Sequence, residues 1–295
     1  MKEAKDKVRV WFITAPRWFG LPIALCSVIL GGILVKLPLP SMILISLTGA
    51  LLMAGLHSMN SYLDWAVTKF DQGTIEERSR KKEYTTGQNF IEEGKLSPNA
   101  TLACSLFWIA VSVIPIIFIG QPLVWLPWGL GIVSGIGYSF AKKCWCPEIA
   151  LGFAFATCAT WLGMASSGHI DFWRGFLISL PFFVIWGGLA EHIDQWKDWG
   201  SDWPKGGRSA GMLVGKLNIP LRWSVAWAMT IVYLVQIFLI SIDLLAPATG
   251  LTFLAVIPMS ACGILIDTEL KKGVLWGLSG VYLYEILLVV GQAIG

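Results

Sequence analysis

The sequence passes from apolar to charged within one stretch, Asn60-Ser61-Tyr62-Leu63-Asp64-Trp65-Ala66-Val67-Thr68-Lys69-Phe70-Asp71. A related stretch recurs where a later apolar run ends, Asp194-Gln195-Trp196-Lys197-Asp198-Trp199-Gly200-Ser201-Asp202. Asp64 and Asp71 are seven residues apart, so on a continuous helix they would point the same way about two turns apart. Asp194, Asp198 and Asp202 step by four and would also share a helix face. We call Asp64 and Asp71 the first ledge, and Asp194, Asp198 and Asp202 the second ledge.

The composition around these ledges is that of a membrane protein. Of the 295 residues, 55% are hydrophobic and 14% are charged, whereas about a quarter of the residues in a soluble domain are charged. We therefore expect an integral, multi-pass protein whose surroundings are the lipid bilayer, with no nucleic-acid partner.

Apolar runs long enough to cross a bilayer, about 20 residues each, occur nine times. The predicted spans are 10–35, 41–62, 99–119, 123–140, 148–166, 172–190, 220–241, 249–266 and 274–294. The fold class predicted from this count is an all-α membrane protein with nine transmembrane helices.

Basic residues predict the orientation of these spans. All 22 Lys and Arg residues except Lys36 and Arg174 fall on one side of the predicted bundle. The positive-inside rule places that side, with the N-terminus and both ledges, in the cytoplasm.

The two ledges end spans two and six, and both contain an Asp-Trp pair. This spacing indicates one membrane domain over 1–295, built from two pseudo-repeats, about 10–140 and 148–266, plus a ninth helix at 274–294. In membrane proteins with such internal symmetry, the site tends to lie at the repeat interface.

Clustered aspartates predict a site for divalent cations. Unit charges a few ångströms apart repel by about 1 kcal/mol in water and by several at a protein surface. Mg²⁺ removes this repulsion and usually binds one or two carboxylates together with substrate phosphates. Two Mg²⁺ ions, one per ledge, would hold a diphosphate, and nearby cations would take its remaining oxygens. The candidate cations are Lys142, Lys143 and Arg208, with Arg80, Lys81 and Lys82 less specific.

A diphosphate beside a membrane is expected to carry a long hydrocarbon tail, because each buried CH₂ contributes about 0.8 kcal/mol. Ionisation of an allylic diphosphate leaves a carbocation, which aromatic faces stabilise by roughly 1 kcal/mol or more in a dry site. The candidate cavity walls are Tyr62, Trp108, Tyr138, Trp161 and Trp186.

These motifs resemble the UbiA superfamily of intramembrane aromatic prenyltransferases. Asn60-x-x-x-Asp64 with Asp71 is similar to the first aspartate motif, and its spacing resembles the branch of 1,4-dihydroxy-2-naphthoate polyprenyltransferases. The second ledge, followed by Lys205-Gly206-Gly207-Arg208-Ser209, resembles the second motif and its tail. Thr86-Gly87-Gln88-Asn89 resembles the connector before the third helix.

The resemblance implies nine helices around a central cavity capped by cytoplasmic loops. It also implies that Asp64 and Asp71 hold one Mg²⁺, that Asp198 and Asp202 hold the other, and that Asn60 and Asp194 assist. The implied activity is transfer of a polyprenyl group from its diphosphate to a small aromatic acceptor, as in quinone biosynthesis.

Several points remain open at the level of sequence. Ser61 stands where many members of the superfamily have Asp, and Asp194 stands where many have Asn. Glu191, His192 and Asp194 are all candidates for the base that removes the acceptor proton. A terpene cyclase, which ionises the same donor without an acceptor, is the alternative activity. A transporter is a more distant alternative, because transporter acids usually lie near the bilayer midplane, whereas both ledges lie at the cytoplasmic ends of predicted spans.

Overall fold

The computed structural model describes residues 7–73 and 90–295, and its regular secondary structure in these ranges is helical. We number the long helices α1 to α9 in chain order. Their bounds are α1 Leu21–Leu34, α2 Leu39–Ala66, α3 Pro98–Ile119, α4 Pro122–Ala141, α5 Pro147–Ala165, α6 Phe172–Asp202, α7 Leu221–Ser241, α8 Pro247–Leu265 and α9 Leu270–Ile294. The connector Thr86-Gly87-Gln88-Asn89 and the candidate cations Arg80, Lys81 and Lys82 lie outside the described residues.

Eight of these helices, α2 to α9, are long and apolar enough to cross a membrane. They confirm eight of the predicted spans, and the chain is an all-helical integral membrane protein. The ninth transmembrane crossing remains a prediction, because the apolar part of α1 covers only Ala24–Leu34. The cytoplasmic position of the N-terminus also remains a prediction.

The prediction of one continuous first span over 10–35 was wrong. The chain turns at Pro16 and Arg17, where Arg17 adopts a left-handed conformation with φ of 51°. Proline lacks the N–H that would continue the helical ladder, so the segment Val10–Thr14 is separated from α1. This turn brings Arg17 to the cavity described below.

The bundle packs closely where small residues face each other, as is common between membrane helices. Ser105 of α3 donates a hydrogen bond of 2.9 Å to the carbonyl of Gly55 in α2. A Cβ atom on Gly163 of α5 would lie 2.1 Å from the carbonyl oxygen of Val28 in α1. Such contacts join α2 to α3 and α5 to α1, and α2 and α5 both line the cavity described below.

Two helices contain π-helical turns, Phe153–Cys158 in α5 and Val184–Glu191 in α6. π-bulges are rare and occur frequently at functional sites. Both segments contribute side chains to the same cavity, so they direct attention to it.

Candidate functional site

The first ledge is centred on Asp64, which is buried near the end of α2. Its Oδ2 accepts hydrogen bonds from Lys142 Nζ at 2.7 Å and from Asn60 Nδ2 at 3.1 Å. Its Oδ1 accepts one from Thr68 Oγ1 at 3.3 Å. Asn60 also donates to Ser139 Oγ at 2.9 Å, so α4 and its end fix the position of this carboxylate.

Asp71 reaches the ledge by a route that differs from the one predicted. It does not share a helix face with Asp64, because α2 ends at Ala66 and the chain turns back through Lys69, whose φ is 63°. The backbone N–H of Asp71 then donates to the carbonyl of Asp64 at 3.0 Å. Lys205 holds this turn by donating to the carbonyls of Phe70 at 2.7 Å and Gln72 at 2.5 Å.

The second ledge lies on α6, which continues as helix through Asp202. Asp194, Asp198 and Asp202 therefore do share a face, as their spacing predicts. Lys197 Nζ lies 2.5 Å from Asp194 Oδ1 and 3.6 Å from Asp198 Oδ2. Asp202 is fully buried and accepts a hydrogen bond from Ser201 Oγ at 3.1 Å.

Both ledges meet at a cavity of about 240 Å³. Asp64, Asp71, Asp194 and Asp198 line it, whereas Asp202 lies behind the lining. The polar residues of the wall lie near the ledges, and the remaining wall is mainly apolar. That apolar part includes Leu56, Ala150, Leu151, Ala154, Phe155, Trp186, Leu189, Ala190, Ile193, Leu270, Val274, Leu278 and Val281.

Lys142 is the cation at the centre of the site. Burial lowers the pKa of its ammonium group, but the negative charges of Asp64 and, more weakly, Asp202, Glu191 and Asp71 outweigh that effect. The pKa therefore lies above its ordinary value, and the side chain carries a fixed positive charge.

The other two predicted cations lie outside the cavity lining. Lys143 is exposed, with its Nζ 5.7 Å from the centroid of the Phe70 ring. Arg208 donates to the carbonyls of Trp203 at 2.9 Å and Gly207 at 2.6 Å, and its guanidinium lies 4.2 Å from the centroid of the Trp203 ring.

Of the predicted aromatic walls, Tyr138 and Trp186 line the cavity. Tyr138 donates a 2.6 Å hydrogen bond to Glu191 Oε1, and Gln195 Nε2 donates to the same oxygen at 2.6 Å. The remaining candidates, Tyr62, Trp108 and Trp161, are half-buried elsewhere.

Two other candidate bases lie near the second ledge, Glu191 and His192, and their side chains face different directions. Glu191 lines the cavity, whereas His192 faces away and pairs with Ser224 Oγ at 2.9 Å.

A family profile described as the UbiA prenyltransferase family matches residues 20–272 of the chain. The chain belongs to the UbiA prenyltransferase family. A comparison with curated protein sequences finds no match.

Solved structures of UbiA homologues share the fold. One is an apo structure of a homologue from Aeropyrum pernix K1, with 16% identity over 94% of this chain and 98% of that chain and a TM-score of 0.73. Another is a homologue from Archaeoglobus fulgidus bound to DMAPP and Mg²⁺, with 16% identity over 92% of this chain and 98% of that chain and a TM-score of 0.52. A digeranylgeranylglyceryl phosphate synthase has 13% identity over the full length of both chains and a TM-score of 0.59.

The donor set of this UbiA-family site fits Mg²⁺, a hard cation that prefers oxygen ligands. Within residues 7–73 and 90–295, no three His, Cys, Asp or Glu side chains form a ready-made metal cluster. The carboxylates instead face each other across the cavity in small groups next to Lys142 and Lys197. This arrangement suits an ion that takes one or two carboxylates and completes its shell with water and phosphate oxygens.

Among the cavity residues that the sequence reasoning missed are two ionisable ones, Arg17 and His57. Arg17 donates to Ser61 Oγ at 3.2 Å and lines the cavity. His57 stacks on Phe155 with ring centroids 5.5 Å apart. Both lie inside apolar runs, and ionisable groups within membrane segments are rare and usually functional. That signal was available in the sequence.

Proposed function

We propose that this protein transfers a polyprenyl group from a prenyl diphosphate to a small aromatic acceptor in a Mg²⁺-dependent reaction. The observation that carries the proposal is the cavity itself. Carboxylates from α2 and α6 face its polar end, and the rest of its wall is apolar. A charged head on an apolar tail matches this division, and the fold is shared with a homologue bound to DMAPP and Mg²⁺.

In this proposal, Asp64 and Asp71 hold one Mg²⁺, and Asp198 and Asp202 hold the second, assisted by Asn60 and Asp194. Asp202, which lies behind the lining, would have to turn towards the cavity to reach its ion. When bound, the ions would neutralise the diphosphate as it leaves. Lys142, which already lies 2.7 Å from Asp64, and Arg17 would take the phosphate oxygens that face them. Lys143 and Arg208 would reach the head only after a rearrangement of their loops.

The apolar walls have a separate role. Tyr138 and Phe155 would exclude water from the allylic carbocation, which water would otherwise trap. An electron-rich ring carbon of the acceptor attacks the cation, and the ring then loses a proton. Glu191 is the proposed acceptor of that proton, because it lies in the lining and is held by Tyr138 and Gln195.

The finer assignment is to the branch that prenylates 1,4-dihydroxy-2-naphthoate in menaquinone biosynthesis. It rests on the seven-residue spacing of the first ledge, with the site on the cytoplasmic side by the positive-inside rule.

The test uses purified protein, Mg²⁺ and geranylgeranyl or farnesyl diphosphate, with and without 1,4-dihydroxy-2-naphthoate, and identifies products by mass spectrometry. A prenylated aromatic supports the proposal. A cyclic hydrocarbon or alcohol formed without the acceptor indicates the cyclase alternative. If the diphosphate stays intact under all conditions, the proposal fails.

A further inference from the structure

On the side formed by α6 and α9 the cavity has a defined floor, whereas a second, smaller cavity that shares Leu56, Ala154 and Phe155 with it continues deeper between α2, α4 and α5. Each long helix that lines the larger cavity does so only in the half nearer the ledges: α2 from Leu56, α6 from Trp186 and α9 as far as Val281. From Asp194 to Trp186 the helix rises about 12 Å, at roughly 1.5 Å per residue. Trp186 is the lining residue of α6 that lies furthest from the ledges, and it lies in the π-helical segment of α6.

The indole of Trp186 is held from the opposite helix. Its Nε1–H donates a hydrogen bond to Oε1 of Glu285 in α9. Glu285 lies four residues beyond Val281, about one helical turn deeper than the last α9 residue of the lining. The bond therefore joins α6 to α9 directly beneath the cavity.

Glu285 itself is unusual. It is 0% exposed and lies within a membrane-spanning helix, where a carboxyl group is costly and generally marks a function. Its second oxygen, Oε2, has no hydrogen-bond partner among the residues that the structure describes. The diphosphate chemistry makes no use of this group, because it lies at the opposite end of the cavity from the ledges.

The backbones of α6 and α9 leave a gap that these two side chains close. Most Cα atoms of the two helices stay more than 8 Å apart. A tryptophan and a glutamate together are long enough to bridge such a gap, and the hydrogen bond fixes the ring in one orientation.

We propose that Trp186 is the floor that limits how deeply an apolar substrate tail enters between α6 and α9, and that Glu285 is a positioning residue that holds the indole in place. The floor makes Trp186 a determinant of prenyl chain length. Only the identity of the tail rests on the proposed function, since the floor would limit any apolar chain that enters the cavity.

The experiment measures affinities in lipid nanodiscs from ligand-induced shifts in thermal unfolding. One ligand series is dimethylallyl, geranyl and farnesyl diphosphate with Mg²⁺, and the other is the three corresponding alcohols without Mg²⁺. Glu285→Leu removes the acceptor of the indole N–H, whereas Glu285→Gln keeps an oxygen that accepts it. Trp186→Phe keeps an aromatic ring but removes the N–H.

We expect Glu285→Leu and Trp186→Phe each to raise the ratio of farnesyl to dimethylallyl affinity by about five- to tenfold, the size of one lost hydrogen bond. Glu285→Gln should leave that ratio within about twofold of the wild type, and Glu285→Leu should add nothing when Trp186→Phe is already present. Because Trp186→Phe and Glu285→Gln are conservative, they decide the matter even if Glu285→Leu does not fold.

An unchanged length ratio in Trp186→Phe, or an equal shift in Glu285→Gln and Glu285→Leu, would overturn the proposal. If the alcohols show the expected pattern and the diphosphates do not bind, the floor stands and the proposed function fails. If the diphosphates bind to every variant with the wild-type length ratio, the proposed function stands and the floor fails.

Discussion

The first ledge crosses the end of a helix, whereas the second ledge lies on helix throughout. Asp64 belongs to α2, and Asp71 returns to it through a turn at Lys69. Asp194, Asp198 and Asp202 stand on successive turns of α6. Similar motifs in the sequence are therefore built in two ways, one by tertiary contacts and one by helical periodicity alone.

The two ledges also differ in how their charge is balanced. Asp64 and Lys142 form a buried ion pair, with side-chain exposures of 4% and 7%. Asp194 pairs with Lys197, but its side chain is 46% exposed. Removal of one partner of a buried pair leaves an uncompensated charge, whereas an exposed pair is screened by water. The comparison predicts that the first ledge is the more sensitive to substitution around it.

The largest expected effect comes from the carboxylates themselves. Asp64→Asn and Asp198→Asn should each lower prenyl transfer at least about 100-fold, because each removes a carboxylate that would hold a Mg²⁺ ion, and the ion would neutralise the leaving diphosphate. The measurement is the turnover of geranylgeranyl diphosphate in the assay described above. Asp243→Asn, at an exposed position at the other end of the bundle, is the control. Near-normal turnover in either ledge variant would contradict the prediction that both ledges are required.

The next largest effect distinguishes Lys142, which is buried, from its neighbour Lys143, which is exposed. Lys142→Met should destabilise the protein by about 3 to 5 kcal/mol without Mg²⁺, the cost of leaving one buried charge unpaired. Mg²⁺ should restore part of this loss by neutralising Asp64. Lys143→Met changes an exposed side chain and should alter stability by less than about 0.5 kcal/mol. Thermal unfolding with and without Mg²⁺ measures both stability changes. Equal changes in the two variants would contradict the difference between the buried and the exposed lysine.

The contribution of the Lys142 charge to the stability of the protein should also be insensitive to pH near neutrality. The pKa of Lys142 is raised, mainly because the charge of Asp64 outweighs burial. Its stabilising contribution is therefore present below the pKa of a free lysine and is lost only as the pH rises through the higher folded value. The stability difference between wild type and Lys142→Met should stay constant from about pH 6 to 9.

A smaller effect tests the dependence of the first ledge on the second. Lys205 follows α6 and holds the turn around Asp71 through two carbonyls. Lys205→Met should increase hydrogen exchange at residues 67–73 and leave exchange at 192–202 unchanged, because α6 keeps its own helical hydrogen bonds. Increased exchange in both segments, or in neither, would show that the ledges are not built as we describe.

The smallest effect is expected at Lys197. Lys197→Met should change stability by less than Lys142→Met does, because its nearer partner, Asp194, is half-exposed and its buried partner, Asp198, lies 3.6 Å away. The apparent affinity for Mg²⁺ in the turnover assay should stay the same or increase, since a competing cation is removed. A loss of stability comparable to that of Lys142→Met would contradict the difference between the two ledges.

Much of the fold follows from the sequence, because apolar length and helix periodicity are local properties. These properties place α2 to α9 and the face shared by Asp194, Asp198 and Asp202. They fail at Pro16 and Arg17, where a turn interrupts an apolar run, and at Asp71, where a left-handed residue redirects the chain. In both places the chain direction depends on one backbone conformation that composition does not encode.

The site was less accessible to prediction than the fold. The ledges and Lys142 carry charge next to apolar runs, so they could be identified from the sequence. The Trp186–Glu285 bond joins residues 99 positions apart, and no local pattern relates them. Arg208 had the right charge and location in the chain, but it stacks on Trp203, five residues before it, and lies outside the cavity lining. The internal duplication and the ninth crossing remain predictions.

The most direct test of the central claim is a crystal structure of the protein with Mn²⁺ and a non-hydrolysable prenyl thiodiphosphate, with anomalous diffraction to locate the metal. The account predicts two anomalous peaks, one beside Asp64 and Asp71 and one beside Asp198 and Asp202. The diphosphate analogue should lie between them and its tail should point towards Trp186. Metal at neither ledge, or a diphosphate bound outside the shared cavity, would contradict the account.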